Sequence, residues 1–187
     1  IRYRLYSTWG FSLLEILAFV SILSITFWLG LFLLSGIAFV ALPIQLPPDV
    51  LEKLQLAPST WGYIFLSCVA SYLISCILIR QPIRFKDFQA SLPPFRLSLL
   101  QLCVSAGDFL LATTVLYSLL PPEVVGPDKI NFSTVLVAYL TAQILAVVLH
   151  VPGAYGILEA VLLHFLPDDA SVEVFAAIVL FRVIYYF

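Results

Sequence analysis

Charged side chains are scarce in this sequence. Asp, Glu, Lys and Arg make up 11% of its 187 residues, whereas a soluble domain carries roughly 25%. Hydrophobic residues account for 62%, and the mean hydropathy is +1.07. The shortage of charge excludes an ordinary soluble domain. The long apolar runs predict an all-α fold, a polytopic transmembrane helical bundle.

Signatures of catalysis and of bound cofactors are also lacking. The three cysteines lie in apolar runs without metal-ligand spacing, and neither a glycine-rich nucleotide loop nor a convincing nucleophile–base set is present. We therefore expect this chain to be no enzyme, with no catalytic residues, no metal and no cofactor. Its one basic cluster is a short loop, which argues against nucleic-acid binding.

Apolar runs cover residues 10–42, 61–79, 97–120, 132–150, 152–166 and 174–187. About 20 residues cross a bilayer, so the first run is too long for one straight span. The sequence leaves open whether it forms one tilted helix or a broken one. Because the chain opens without methionine and closes inside an apolar run, we expect residues 1–187 to form a single transmembrane domain that is a fragment of a longer protein.

The distribution of basic residues predicts the orientation in the membrane. Residues 80–96 carry four basic side chains against one acid, whereas the other loops are acidic. The basic loop should therefore be cytoplasmic. Arg2 and Arg4, among aromatic residues at the start of the chain, are expected at the cytoplasmic interface.

Residues 149–159 interrupt the apolar pattern. Pro152 removes a backbone donor, and Gly153 and Gly156 permit dihedral angles that other residues resist. The following run is only 15 residues long, about 22 Å as a helix, which is too short to cross alone. We predict a broken or re-entrant helix that begins at Pro152 and faces a polar pocket. A plain loop between two spans is the alternative.

Four ionisable side chains in or beside the apolar runs are candidates for that pocket. Backbone donors near residues 153–155, with Arg182 or protonated His150, would suit a phosphate. Asp108 and Glu159 would suit a cation, so one pocket would match a zwitterionic or aminoacylated lipid head group. In the alternative interpretation, Asp108 and Arg182 form a buried pair that serves assembly.

Two further helical patterns carry small or polar residues. Serines at 67, 71 and 75 predict a face on which a neighbouring helix packs closely. Gln101, Ser105 and Asp108 share one helix face, and a second polar stripe comprises Tyr139, Gln143, Ala146 and His150. We expect both polar stripes to turn toward one interior volume.

Several of these segments together resemble a known family. They are residues 2–7 (RYRLYS) with Trp9-Gly10, the Gln101…Asp108 pair, residues 150–153 (HVPG) with Gly156 and Glu159, and residues 182–186 (RVIYY). In this order along the chain, they resemble the flippase domain of the multiple peptide resistance factor, the bifunctional lysylphosphatidylglycerol flippase/synthetase. The sequence departs from that family's usual residues at 109, 149, 154, 155, 157, 158 and 181. The departures at Ala154 and Tyr155 predict a less flexible break and put the lipid preference in question.

The resemblance implies a multi-pass protein of the bacterial inner membrane. It would move aminoacylated phosphatidylglycerol, such as lysylphosphatidylglycerol, to the outer leaflet and so give resistance to cationic antimicrobial peptides. The implied head-group residues are Asp108, His150, Pro152, Gly153, Gly156, Glu159 and Arg182. The implied partners are the phospholipid, the membrane, a lysyltransferase (synthase) domain in the same longer chain, and a second copy in a homo-oligomer. Two alternatives stay open: an ion- or proton-coupled small-solute transporter, and a membrane anchor for the lysyltransferase domain.

Overall fold

A computed structural model describes residues 13–42, 57–79, 83–85, 88–90, 92–126, 129–151, 154–165 and 171–186. Within these residues the helices are α1 (Leu13–Ala41), α2 (Pro58–Leu78), α3 (Phe95–Leu119), α4 (Phe132–Val148), α5 (Ile157–Phe165) and α6 (Ser171–Tyr186). A short antiparallel hairpin, β1 (Ile83–Phe85) with β2 (Phe88–Ala90), lies in the basic loop between α2 and α3. Apart from this hairpin the fold is helical, which confirms the predicted all-α class.

Three helices are long and apolar enough to cross a membrane: α2, α3 and residues Val20–Ala41 of α1. The structure answers the question about the first apolar run, since α1 is one continuous helix of 29 residues. At 1.5 Å per residue it is about 44 Å long, so it must tilt or extend beyond a hydrocarbon core of about 30 Å. The apolar helix α4 is shorter, with 17 residues.

The backbones of α1 and α2 approach each other closely at a pair of glycines. A methyl group added at Gly62 would lie 2.9 Å from the carbonyl oxygen of Gly36. Such an approach is possible only where side chains are absent. Val69 and Cys76 continue this buried face of α2 at seven-residue spacing.

The predicted packing role of the serines of α2 is wrong for the described chain. Ser67 and Ser71 are exposed, and their hydroxyls donate to carbonyls of their own helix at 2.7 and 2.8 Å. The serine stripe lies on the side of α2 opposite the Gly62 face, because Ser71 follows Gly62 by nine residues, which is two and a half turns at 3.6 residues per turn.

The larger hydrophobic core joins α3, α4, α5 and α6 and also includes Leu31 of α1. Tyr139 of α4 lies at its centre and is 2% exposed. The Tyr139 ring contacts Phe109 of α3 and stands edge-on to Phe181 of α6, at centroid distances of 6.3 and 5.9 Å. This aromatic cluster fixes α6 against α3 and α4. It therefore fixes the polar residues that follow Phe181 on α6.

Candidate functional site

Helix α4 ends in a tight C-terminal turn centred on His150. The amide of Val151 donates to the carbonyl of Ala146 (2.8 Å), and that of His150 donates to Val147 (3.1 Å). These two bonds are the pattern of a Schellman motif, whose turning residue takes a left-handed conformation. His150 has φ +56°, in a position that usually holds glycine. Its ring is exposed and lies 3.2 Å from the Val148 carbonyl through Nδ1.

A second turn connects this ending to α5. Ala154 and Gly156 have φ values of +51° and +78°, which a right-handed helix cannot contain. The first backbone hydrogen bond of α5 is therefore donated by the amide of Ala160 to the carbonyl oxygen of Gly156 (3.0 Å). The predicted break is confirmed, because the chain leaves helical geometry between α4 and α5.

The predicted start of the short helix at Pro152 is wrong. Helix α5 begins at Ile157, five residues later, and its nine residues span about 14 Å. The left-handed residues 154 and 156 are the reason for the later start. Glu159 accordingly lies in the first turn of α5, whereas a helix beginning at Pro152 would place it about two turns from the start. Pro152 and Gly153 themselves lie outside the described residues, as do Arg2 and Arg4.

Arg182 of α6 and Glu159 of α5 form an ion pair. Nη2 of Arg182 lies 2.8 Å from Oε2 of Glu159. The same nitrogen donates to the carbonyl oxygen of Ala154 at 3.1 Å. The two charged side chains are only 11% and 15% exposed, so the pair holds the turn and α5 against α6 in a largely dry place.

Tyr155 completes the surroundings of Arg182 and was missed as a functional residue in the sequence. The guanidinium carbon lies 4.3 Å from the centroid of the Tyr155 ring, a distance at which a cation is attracted to an aromatic face. The sequence signal was an aromatic residue inside the break, with an arginine in an apolar run further along. The sequence predicts for Tyr155 only a stiffening of the break.

Two nitrogens of the Arg182 guanidinium have no hydrogen-bond acceptor among the described residues. Nε and Nη1 are buried and have no hydrogen-bond partner among the described residues. A guanidinium carries five N–H donors in a planar fork, and buried donors in native proteins nearly always have a partner. The fork therefore has free donors next to a fully engaged Nη2.

Asp108 has a different partner from the one predicted. Its Oδ2 accepts a hydrogen bond of 2.9 Å from the hydroxyl of Tyr185 on α6, whereas Arg182 is paired with Glu159. The proposed Asp108–Arg182 pair is thus wrong. Tyr185 follows Arg182 by three residues, so both belong to one side of α6. Spacing along the sequence does not tell whether Arg182 or Tyr185 faces α3.

The two polar stripes do not converge on one volume as predicted. Ser105 is buried at the contact of α3 with Gly30 of α1, whereas Asp108 reaches toward α6. On α4, Tyr139 lies in the core and His150 is exposed. The structure brings Glu159 and Arg182 together, and it leaves Asp108 and His150 with separate partners.

No protein-family model matches the sequence. The chain is 37% identical over 188 residues to the uncharacterized protein slr0712 of Synechocystis sp., in an alignment covering 100% of this chain and 56% of that protein. It is 31% identical over 190 residues to the inner membrane protein YbhN of Escherichia coli, covering 100% of this chain and 58% of YbhN. The chain thus spans somewhat more than half the length of these curated relatives. This homology and the three long apolar helices show that the chain is a membrane protein related to YbhN.

Proposed function

We propose that the chain is part of a lipid translocation module in which Arg182 binds the phosphate of a phospholipid as the head group passes between leaflets. The observation that carries the proposal is the pair of buried, unused nitrogens on a guanidinium that Glu159 and Ala154 hold in place. They lie beside a helix break in an otherwise apolar chain.

The chemistry of the unused donors favours a phosphate over other ligands. A charge-assisted hydrogen bond from an arginine to a phosphate oxygen is about twice as strong as a neutral one. Glu159 and Ala154 occupy Nη2, so a phosphate oxygen can accept from Nε or from Nη1, through a single bond, without displacing either of them. The charge of Glu159 also weakens the attraction of the site for anions. A transporter needs such weakening, because it must release what it binds.

The head group follows from the resemblance to the flippase domain of the multiple peptide resistance factor. Aminoacylated phosphatidylglycerol, such as lysylphosphatidylglycerol, is the first candidate, moved from the inner to the outer leaflet. A lysyltransferase domain in the same longer chain would supply this lipid. In this proposal the chain moves the lipid without forming or breaking a covalent bond in it.

The structure supports the two rival functions less well. A proton relay would need Asp108, His150 and Glu159 in one chain of hydrogen bonds, but each has its own partner: Tyr185, Val148 and Arg182. A membrane anchor would have no use for unsatisfied donors on Arg182 and should tolerate conservative changes there.

Reconstitution of the purified protein in vesicles tests the proposal. Fluorescent phosphatidylglycerol and lysylphosphatidylglycerol are placed in both leaflets, and an impermeant reductant then reports which label has crossed. Arg182→Lys keeps a cation for Glu159 but removes the unused donors Nε and Nη1. We expect a roughly tenfold to hundredfold slower crossing, the equivalent of one lost charged hydrogen bond of about 1.5–3 kcal/mol.

Glu173→Gln is the matched control, because it removes an exposed carboxylate from the first turn of α6 and leaves the Arg182 guanidinium intact. Its crossing rate should stay within a few-fold of wild type. Unchanged crossing in Arg182→Lys, at equal and monodisperse incorporation, would contradict the role of Arg182. An Arg182→Lys protein with wild-type function in cells would favour the anchor.

A further inference from the structure

The two carboxylates that could bind a cation have different surroundings. Glu159 is neutralised by Arg182 at 2.8 Å. Asp108 has a hydrogen bond from the Tyr185 hydroxyl and no ion pair with any cation among the described residues. Of the two, Asp108 is thus the carboxylate whose charge is not balanced within the described chain.

The position of Asp108 makes this unbalanced charge costly. It is the fourteenth of the 25 residues of α3, the middle of a helix long enough to cross a membrane. Asp108 is also exposed on the surface of the described chain. A bare carboxylate at that depth costs about 2.5–3.5 kcal/mol on insertion scales, so a cation or water must reach it in the working protein.

An aromatic ring lies beside the carboxylate. Tyr185 donates its hydroxyl to Asp108, and its ring stacks on Phe181 at a centroid distance of 5.4 Å. Phe181 is 1% exposed and held by Tyr139, so the tyrosine is supported from the core. A carboxylate next to an aromatic ring attracts organic ammonium groups through charge and through the face of the ring.

The Asp108–Tyr185 pair and the Arg182 guanidinium are linked through neighbouring positions on α6. Arg182 and Tyr185 are three residues apart on α6, which places their Cβ atoms roughly 5–6 Å from each other. We infer that Asp108 and Tyr185 form an ammonium subsite, about one helical turn from the Arg182 guanidinium that is proposed to bind the phosphate. This inference rests on the proposed function and assigns the ammonium to Asp108, whereas the sequence pointed equally to Glu159.

A competition between lipids with and without an ammonium group tests the subsite. The reconstituted protein is given fluorescent phosphatidylglycerol, lysylphosphatidylglycerol or phosphatidylethanolamine, in separate vesicles of otherwise equal composition. Asp108→Asn keeps the hydrogen bond from Tyr185 and removes the charge. We expect about tenfold slower crossing of the two ammonium lipids and unchanged crossing of phosphatidylglycerol.

Two further variants separate the subsite from a general effect on folding. Tyr185→Phe keeps the ring and should slow the ammonium lipids only a few-fold. Glu173→Gln removes an exposed carboxylate from the first turn of α6 and should change no rate. Equal slowing of all three lipids in Asp108→Asn would overturn the subsite and indicate ion coupling or misfolding.

The outcomes also distinguish this inference from the proposed function. If the wild-type protein moves none of the lipids, the proposed function fails and the subsite fails with it. If the wild type moves phosphatidylglycerol but neither ammonium lipid, the translocation proposal stands and the subsite is refuted. If lysylphosphatidylglycerol responds to Asp108→Asn and phosphatidylethanolamine does not, the subsite recognises the aminoacyl ammonium.

Discussion

Neutralising Glu159 tests the energetic importance of the ion pair between α5 and α6. The substitution Glu159→Gln keeps the size of the side chain and one hydrogen bond to Arg182, but it leaves the arginine charge uncompensated. Both partners are largely buried, at 11% and 15% exposure. Removing one member of such a pair costs about 3–5 kcal/mol. Because Ala154 still accepts from Arg182, we expect the lower value, about 3 kcal/mol.

Thermal unfolding of the detergent-solubilised protein measures this loss. For a chain of this size, about 3 kcal/mol corresponds to a decrease in Tm of roughly 6–12 °C. The double variant Glu159→Gln/Arg182→Gln removes both charges, so no unbalanced ion remains. Its loss of free energy of unfolding should be smaller than the sum of the losses in the two single variants, and the difference should be at least about 2 kcal/mol. Glu173→Gln, an exposed carboxylate on α6, is the control and should change stability by less than about 1 kcal/mol.

Two results would refute this reasoning. If the stability losses of the two single variants sum to the loss of the double variant within about 0.5 kcal/mol, Glu159 and Arg182 do not interact. A Glu159→Gln protein as stable as wild type would show that the arginine charge is balanced by something other than Glu159. The same measurement also decides how to interpret lipid assays of Glu159→Gln, because a destabilised protein can lose activity without losing a binding group.

Three further predictions concern packing, backbone strain and orientation. Gly30→Ala would place a methyl group 2.0 Å from the Ser105 hydroxyl oxygen, so it should destabilise the protein by about 1–3 kcal/mol. Gly107→Ala is the control in the same melting experiment: its methyl group meets nothing within 4 Å, so it should be neutral or stabilising. His150→Gly relieves the backbone strain of a side-chain-bearing residue at φ +56° and should raise stability by about 0.5–1 kcal/mol. A lower Tm would contradict the Schellman assignment. A cysteine at Gln89 in the basic loop should resist impermeant thiol reagents in intact cells, because the loop is predicted to be cytoplasmic; labelling there would reverse the orientation.

Hydropathy and length were sufficient to predict where most helices lie. The runs predicted at residues 61–79, 97–120 and 132–150 agree with α2, α3 and α4 within about three residues at each end. Long apolar runs specify a helix strongly, because in a membrane every backbone amide must be satisfied within the segment. The β1–β2 hairpin in the basic loop had no such signal and was not predicted.

The partners of polar side chains could not be derived from spacing. The sequence predicts a pair of Asp108 with Arg182, because opposite charges in apolar runs must be balanced. The structure balances Arg182 with Glu159 instead, on a helix only nine residues long. Periodicity gives the face of each helix on which a residue lies. It does not give the rotation of one helix about its neighbour, which here depends on the packing of Tyr139 and Phe181.

Backbone strain in the second turn has a specific consequence for the site. Ala154 takes φ +51°, a conformation that costs a residue with a Cβ roughly 1–2 kcal/mol. The turn at this residue presents its carbonyl to Nη2 of Arg182, and the next residue, Tyr155, presents its ring to the same guanidinium. The contacts to the arginine, together with the Glu159 ion pair, offset the strain at Ala154. Ala154 and Tyr155 are two of the positions at which the sequence departs from the flippase domain that it resembles. Both contact Arg182 while Nε and Nη1 stay unengaged, the arrangement on which the proposed phosphate-binding role depends.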